Sequence, residues 1–315
     1  MPRKKAPTSQ PAAPPASALE QAWANLRAPS EHPTVSARWL AMAAGLAVLG
    51  AAVCAWGALC LLFWQGSWQL LYHPVAAVTR TPASVGLAFD AVGFATTEAG
   101  ETRLKGWWIP AGADARYTVL YLHGQDGNLG DTVDELATLH AAGVNVLAFD
   151  YRGYGQSQFA RPSEARWRED AEWALHYLTG TRQAAAGSVV VMGSELGANL
   201  ALEVGAAHPE LAGVVVRDPL DRPMDAIFGD ARARLVPAHW LVEDRFDAEG
   251  AAGRLRVPCL WILTSPPRKK IVVLPDLAAY AKIATQKQLA WLDAAPRTEG
   301  DEVRVVAGWL GGLHR

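Results

Sequence analysis

Cysteine is scarce: the 315 residues hold 3, and Cys54 and Cys60 both fall inside one long apolar run. With Cys259 standing alone, no disulfide framework and no thiolate metal spacing can be assembled. An excess of charge of either sign is also lacking. A formal net charge of -2 gives no basic surface for nucleic acid, so no nucleic-acid partner is expected. Only 19% of residues are charged against 50% hydrophobic, enough apolar material for one large buried core. No internal repeat is visible, which excludes solenoids and propellers. No local ligand spacing calls for a cofactor or a metal.

What is present in quantity is one uncharged run. Trp39 to Trp64 reads WLAMAAGLAVLGAAVCAWGALCLLFW, longer than the ~20 residues a helix needs to cross a bilayer. It lies too far from the start, and is too long, for the ~7–15-residue apolar core of a cleaved signal peptide. Tryptophans at both ends suit the interfacial belts. Arg3, Lys4, Lys5, Arg27 and Arg38 precede it, and Arg80 is the next basic residue after it. The positive-inside bias therefore places the N-terminus in the cytoplasm and residues 65–315 on the far side. Residues 1–38 carry Pro2, Pro7, Pro11, Pro14, Pro15, Pro29 and Pro33 among alanines and polar residues, and are expected to be a disordered tail.

Beyond Pro82, short apolar runs alternate with helical periods, the pattern of a mostly parallel, doubly wound α/β sheet. FDAVGFAT and RLKGWWIP read as an opening hairpin; TVLYLHG, VNVLAFD, SVVVMG, LAGVVVRD, PCLWILT and QLAWLD read as buried strands. Helices follow from Val133, Leu136 and Leu139, from Trp167, Ala171, Ala174 and Leu178 behind a Ser163 cap, and from ELGANLALEVGAAHP. Residues 219–249 are less regular and read as a small cap.

The segments YLHGQDGN, FDYRGYGQS and MGSELGANLALE, in this order, resemble the α/β-hydrolase superfamily. QLLYHP, TPASVGL and GWWIPA are similar to membrane-anchored, bud-emergence-type hydrolases, relatives of the serine aminopeptidases. The resemblance runs from about Gln69 to Val306 and implies an α/β-hydrolase fold. It also implies a serine on a G-x-S-x-G elbow, a histidine base, an orienting acid, and backbone donors for the oxyanion. Here the elbow reads Gly193-Ser194-Glu195-Leu196-Gly197, with Glu195 in the nucleophile's place. The acid's place falls in SPPR, with Pro267 as its equivalent, and the base's place falls in AAPRTE, with Arg297 as its equivalent. Gly124, Gln125 and Leu196 would form the oxyanion-hole-like turn.

Two functions follow from different classes, beside a third in which the domain of a purely structural membrane protein serves only as an interaction surface. One is a catalytically silent relative with a binding or scaffolding role, for a small-molecule or lipid-like ligand or for an unidentified protein partner at the membrane. The other is a hydrolase of esters, amides or lipids working through an unrecognised group. His123, Asp150 and Asp218 are pocket candidates at the strand ends. Their plainer roles are a turn histidine, a loop-fixing carboxylate, and a solvated or Arg217-paired carboxylate. A metal shared by Glu195, Asp218 and His123 finds no support in local spacing. At a helix N-terminus Glu195 is expected to be ionised and hydrogen-bonded, filling the place of the oxyanion. Glu195→Gln is then expected to destabilise the domain.

Overall fold

Residues 17–27, 35–265, 277–293 and 299–313 are described in a computed structural model. The chain divides into two compact units, Met1–Trp56 and Gly57–Arg315.

In the first unit, helix α1 (Ala18–Arg27) corrects the expectation of a tail without structure. A capping box nucleates it: Glu20 N donates to Ser17 Oγ, and Ser17 N donates to Glu20 Oε2 at 3.0 Å. The residues that follow, ALEQAWANLR, are mostly strong helix formers. Helix α2 (Ala37–Gly66) carries the uncharged run. With a mean hydropathy of 2.4 it is long and apolar enough to cross a membrane. Leu40, Leu46, Val53 and Trp56 are all exposed, so the apolar surface runs round the helix.

The second unit contains β1 (His73–Pro74), β2 (Asp90–Thr96), β3 (Thr102–Ile109), β4 (Thr118–Leu122) and β5 (Asp126–Gly127). Next come α3 (Val133–Ala141), β6 (Asn145–Asp150), α4 (Glu164–His176), β7 (Val189–Ser194), α5 (Leu196–Ala207) and β8 (Gly213–Arg217). Three short helices, α6 (Asp225–Phe228), α7 (Ala238–Leu241) and α8 (Ala248–Arg254), precede β9 (Cys259–Ser265). The chain then forms α9 (Ala278–Lys282), β10 (Lys287–Asp293) and α10 (Glu299–Gly312). Eight strands form one sheet in the order β2-β3-β6-β4-β7-β8-β9-β10. β3 is antiparallel to both its neighbours, and the other pairs are parallel. The separate pair β1–β5 has no apolar run behind it, and its short segments give no strand signal in the sequence.

Both faces of the sheet are covered, which is why β4, β7 and β8 read as continuous apolar runs. In β4, Leu120 and Leu122 enter the core shared with Trp167 of α4 and Leu200 of α5. Val119 and Tyr121 enter the other, with Leu136 of α3 and Val306 of α10. After β4 the chain steps to β6 on one side and then returns to β7 on the other. That switch point opens a crevice at the carboxyl ends of β4 and β7, where this architecture places ligands.

Candidate functional site

At that crevice β7 turns directly into α5 through Glu195, whose backbone sits at φ 53°, ψ -122°. A non-glycine residue held there stores ~1–3 kcal/mol of strain. The surroundings impose it: Glu195 N donates to Arg217 O at 2.9 Å, and Ala198 N donates to Glu195 O at 3.0 Å. Both flanking glycines are sterically required. A Cβ on Gly193 would lie 2.0 Å from Gly197 O, and one on Gly197 would lie 2.3 Å from the carbonyls of Leu122 and His123. The turn thus presses α5 onto the end of β4 and lifts Glu195 into an exposed position.

The structure brings Gly124, Gln125 and Leu196 together around this side chain. A Cβ on Gly124 would meet Glu195 Oε2 at 2.6 Å, so the carboxylate lies against the His-Gly turn. The Leu196 N–H donates to the side-chain Oε1 of Gln125 at 3.2 Å. A backbone donor at the head of α5 is therefore occupied by the protein's own amide.

The surroundings of Glu195 oppose its ionisation. Its carboxyl is held above the usual glutamate range, chiefly by partial desolvation and then by Asp126, Glu135 and Asp218, with only Gln125 pulling the other way. Nor does its side chain cap α5. The helix terminus is outweighed by desolvation and, after it, by three carboxylates. This reverses the expected effect of substitution. A folded carboxyl with a raised pKa binds its proton more tightly than the unfolded chain does. Stability is therefore lost as pH rises from the unfolded value through the folded one. Glu195→Gln should match the wild type at about pH 4 and equal or exceed it at about pH 7. A lower melting temperature for the glutamine variant at the higher pH would contradict this.

His123 is 1% exposed. Its Nδ1 hydrogen-bonds the Gly124 carbonyl at 2.8 Å, and its ring packs on Tyr151 and Tyr154. Burial pushes its pKa down to about 4, so it is a neutral turn residue. Asp150 lies 3.7 Å from His123 Nε2 and accepts Leu129 N–H at 2.7 Å; burial pushes its pKa up to about 6. Asp218 accepts Thr264 N–H at 2.6 Å and sits 3.9 Å from Arg217 Nε. Each of these carboxylates fixes a loop. Arg152 is likewise structural, bonded to Asp170 at 2.5 Å. With His123 committed to its own turn, Glu195, Asp218 and His123 do not converge on a metal. Pro267 and Arg297, together with His314, lie outside the described residues.

A polar cluster on the opposite side of the sheet was not foreseen. Ser194 Oγ lies 3.2 Å from both Tyr121 Oη and Glu135 Oε2, Tyr121 also hydrogen-bonds Glu135, and Glu135 pairs with Arg217. Glu302 of α10 stands 3.6 Å from Arg217 Nε. Strand alternation carries the signal: the residue before Glu195 must face α3 and α10, away from the crevice. Ser194 is 7% exposed and hydrogen-bonded there, facing away from the crevice that Glu195 enters. His73 is a second omission. Its Nδ1 lies 2.6 Å from Asp126 Oδ1, and Asp126 is near enough to act on Glu195.

The family described as serine aminopeptidase, S33 (Hydrolase_4) matches residues 113–245. An uncharacterized protein of Mycobacterium tuberculosis is 31% identical over 160 residues, covering 50% of this chain and 56% of that protein. The chain thus spans little more than half the length of that relative. Protein bem46 of Schizosaccharomyces pombe is 31% identical over 104 residues, covering 33% of this chain and 34% of its own. A solved esterase of Pyrococcus furiosus has a TM-score of 0.58 at 20% identity, covering 77% of this chain and 98% of its own. That likeness shows the fold.

Proposed function

We propose that this chain, a member of the α/β-hydrolase superfamily, is a membrane-anchored protein whose hydrolase fold binds or scaffolds and does not hydrolyse. One observation carries the reading: Glu195 occupies the elbow while Gln125 fills the Leu196 N–H beside it. Acyl transfer needs a nucleophile delivered at that turn and backbone donors open to the oxyanion. Here the nucleophile's place holds a carboxylate amid other carboxylates, and an acceptor already sits on the donor. An anionic intermediate would meet repulsion where an enzyme offers attraction. The full-length protein in detergent is expected to turn over a broad panel of activated esters no faster than its denatured control.

A second reading, hydrolysis through an unrecognised group, is favoured by the His73–Asp126 pair beside Glu195. Ester turnover abolished by His73→Ala would establish it in place of the first.

The anchor is α2, and the charge asymmetry around it supports a cytoplasmic N-terminus with residues 65–315 exocytoplasmic. Protease added outside intact cells should then digest the globular unit. Digestion confined to inverted vesicles would reverse the topology.

A further inference from the structure

A cavity of about 510 Å³ opens at the C-terminal end of α2. Its lining mixes two tryptophans, Trp64 and Trp68, two arginines, Arg161 and Arg166, and the carboxylates of Glu243 and Asp244. Trp64 closes the uncharged run of α2. A membrane-spanning α2 therefore sets Trp64 at the water–lipid boundary, where tryptophans concentrate. The arginines are held in place through their surroundings: Arg161 Nη2 donates to Trp64 O at 2.7 Å, and Arg166 Nη1 donates to Arg161 O at 2.7 Å. Arg161 also lies over the Trp64 ring, 5.6 Å from its centroid. Among the described residues neither guanidinium has a carboxylate within 4.0 Å. Glu169, also in the lining, is taken by Arg152 at 2.5 Å. Asp244 is occupied as well, accepting Tyr72 Oη–H at 2.7 Å and Glu164 N–H at 3.1 Å. Glu243 remains exposed at the rim.

Among the described residues the two guanidiniums have no carboxylate within 4.0 Å, although Asp244 and Glu243 lie near enough to act on Arg161; with an exposed carboxylate and an aromatic wall at membrane height, they match one kind of ligand. We infer that this cavity holds the head group of an amine-bearing phospholipid, its phosphate on Arg161 and Arg166 and its ammonium on Glu243. Arginine pairs suit phosphate oxygens, and tryptophans at the end of a membrane helix sit at the level of the lipid head groups. The inference rests on the anchor reading.

Native mass spectrometry of the full-length chain, released from micelles containing phosphatidylethanolamine or phosphatidylglycerol, tests it. One tightly retained phosphatidylethanolamine is expected. The double variant Arg161→Gln/Arg166→Gln should retain about tenfold less, the scale of one charge-assisted contact. Arg161 also closes the last turn of α2, so Arg166→Gln and Glu243→Gln, both exposed, serve as independent variants. The first should weaken both lipids, and the second phosphatidylethanolamine alone. Equal retention by all variants, or displacement by inorganic phosphate at equal concentration, would overturn the proposal. Carbonate extraction of the chain from membranes would defeat the anchor reading without altering arginine dependence, so the two failures are distinguishable.

Discussion

Replacing Arg217 with methionine should lower the unfolding free energy by ~3–5 kcal/mol, the usual cost of removing one partner from a buried ion pair. That is a large share of the ~5–15 kcal/mol that holds a domain folded. Arg217 ends β8 and is 4% exposed. Desolvation alone would depress its pKa, yet Glu135, Glu302, Tyr121 and Asp218 together hold it above the ordinary arginine range. Without it, Glu135 of α3 would lose the guanidinium it pairs with, and Glu302 of α10 would lose a cation 3.6 Å away. The elbow would feel the loss too, because the Arg217 carbonyl accepts the Glu195 N–H. Denaturant melts of the detergent-solubilised protein measure the effect. Adding Glu135→Gln to the methionine variant should recover part of the stability, since much of the cost arises from the carboxylate that Arg217 leaves behind. A change below ~1 kcal/mol would show that the cluster is solvated and carries little weight.

Glu195→Ser should not produce a hydrolase. A serine at φ 53°, ψ -122° would have the backbone of a nucleophile elbow, and loss of the glutamate would relieve repulsion from Asp126, Glu135 and Asp218. Two deficits would remain. His123, buried beneath the turn and hydrogen-bonded to Gly124 O, cannot act as base, and Gln125 still occupies the Leu196 N–H. In triad enzymes, loss of the nucleophile or base lowers kcat by ~10⁶, and the residual rate depends on an open oxyanion hole. Glu195→Ser should therefore show no burst with an activated ester, and Glu195→Ser/Gln125→Gly no more than a trace. A burst from Glu195→Ser alone would reveal a working base at the crevice, with His73 the first candidate.

How far these features were legible depends on whether a residue's role is local. The strands of the eight-stranded sheet could be read because each is a short, largely apolar run with a turn beside it, and both faces of β4, β7 and β8 are buried; β1 and β5 could not. The elbow could be read because Gly193 and Gly197 flank it at fixed spacing, and their close backbone contacts explain why glycine stands there. Helix α1 was hidden by the prolines around it, although Ser17 and Glu20 form a local cap. Arg217, Glu135 and Glu302 were hidden for a different reason: β8, α3 and α10 are far apart in sequence and meet only once the sheet is wound. The direction of the Glu195 shift was hidden on the same ground. The head of α5 argues for an anion, but the three carboxylates that oppose it arrive from β5, α3 and the end of β8. The engagement of Leu196 by Gln125 likewise needs β4 and β7 side by side.

The central claim is that the elbow of this α/β-hydrolase fold is closed to acyl chemistry. It is tested most directly by treating the full-length protein with a fluorophosphonate probe and locating any adduct by mass spectrometry. The account predicts no labelling above the denatured control, with Ser194 unmodified because it is buried against Tyr121 and Glu135. Stoichiometric modification of Ser194 would contradict it.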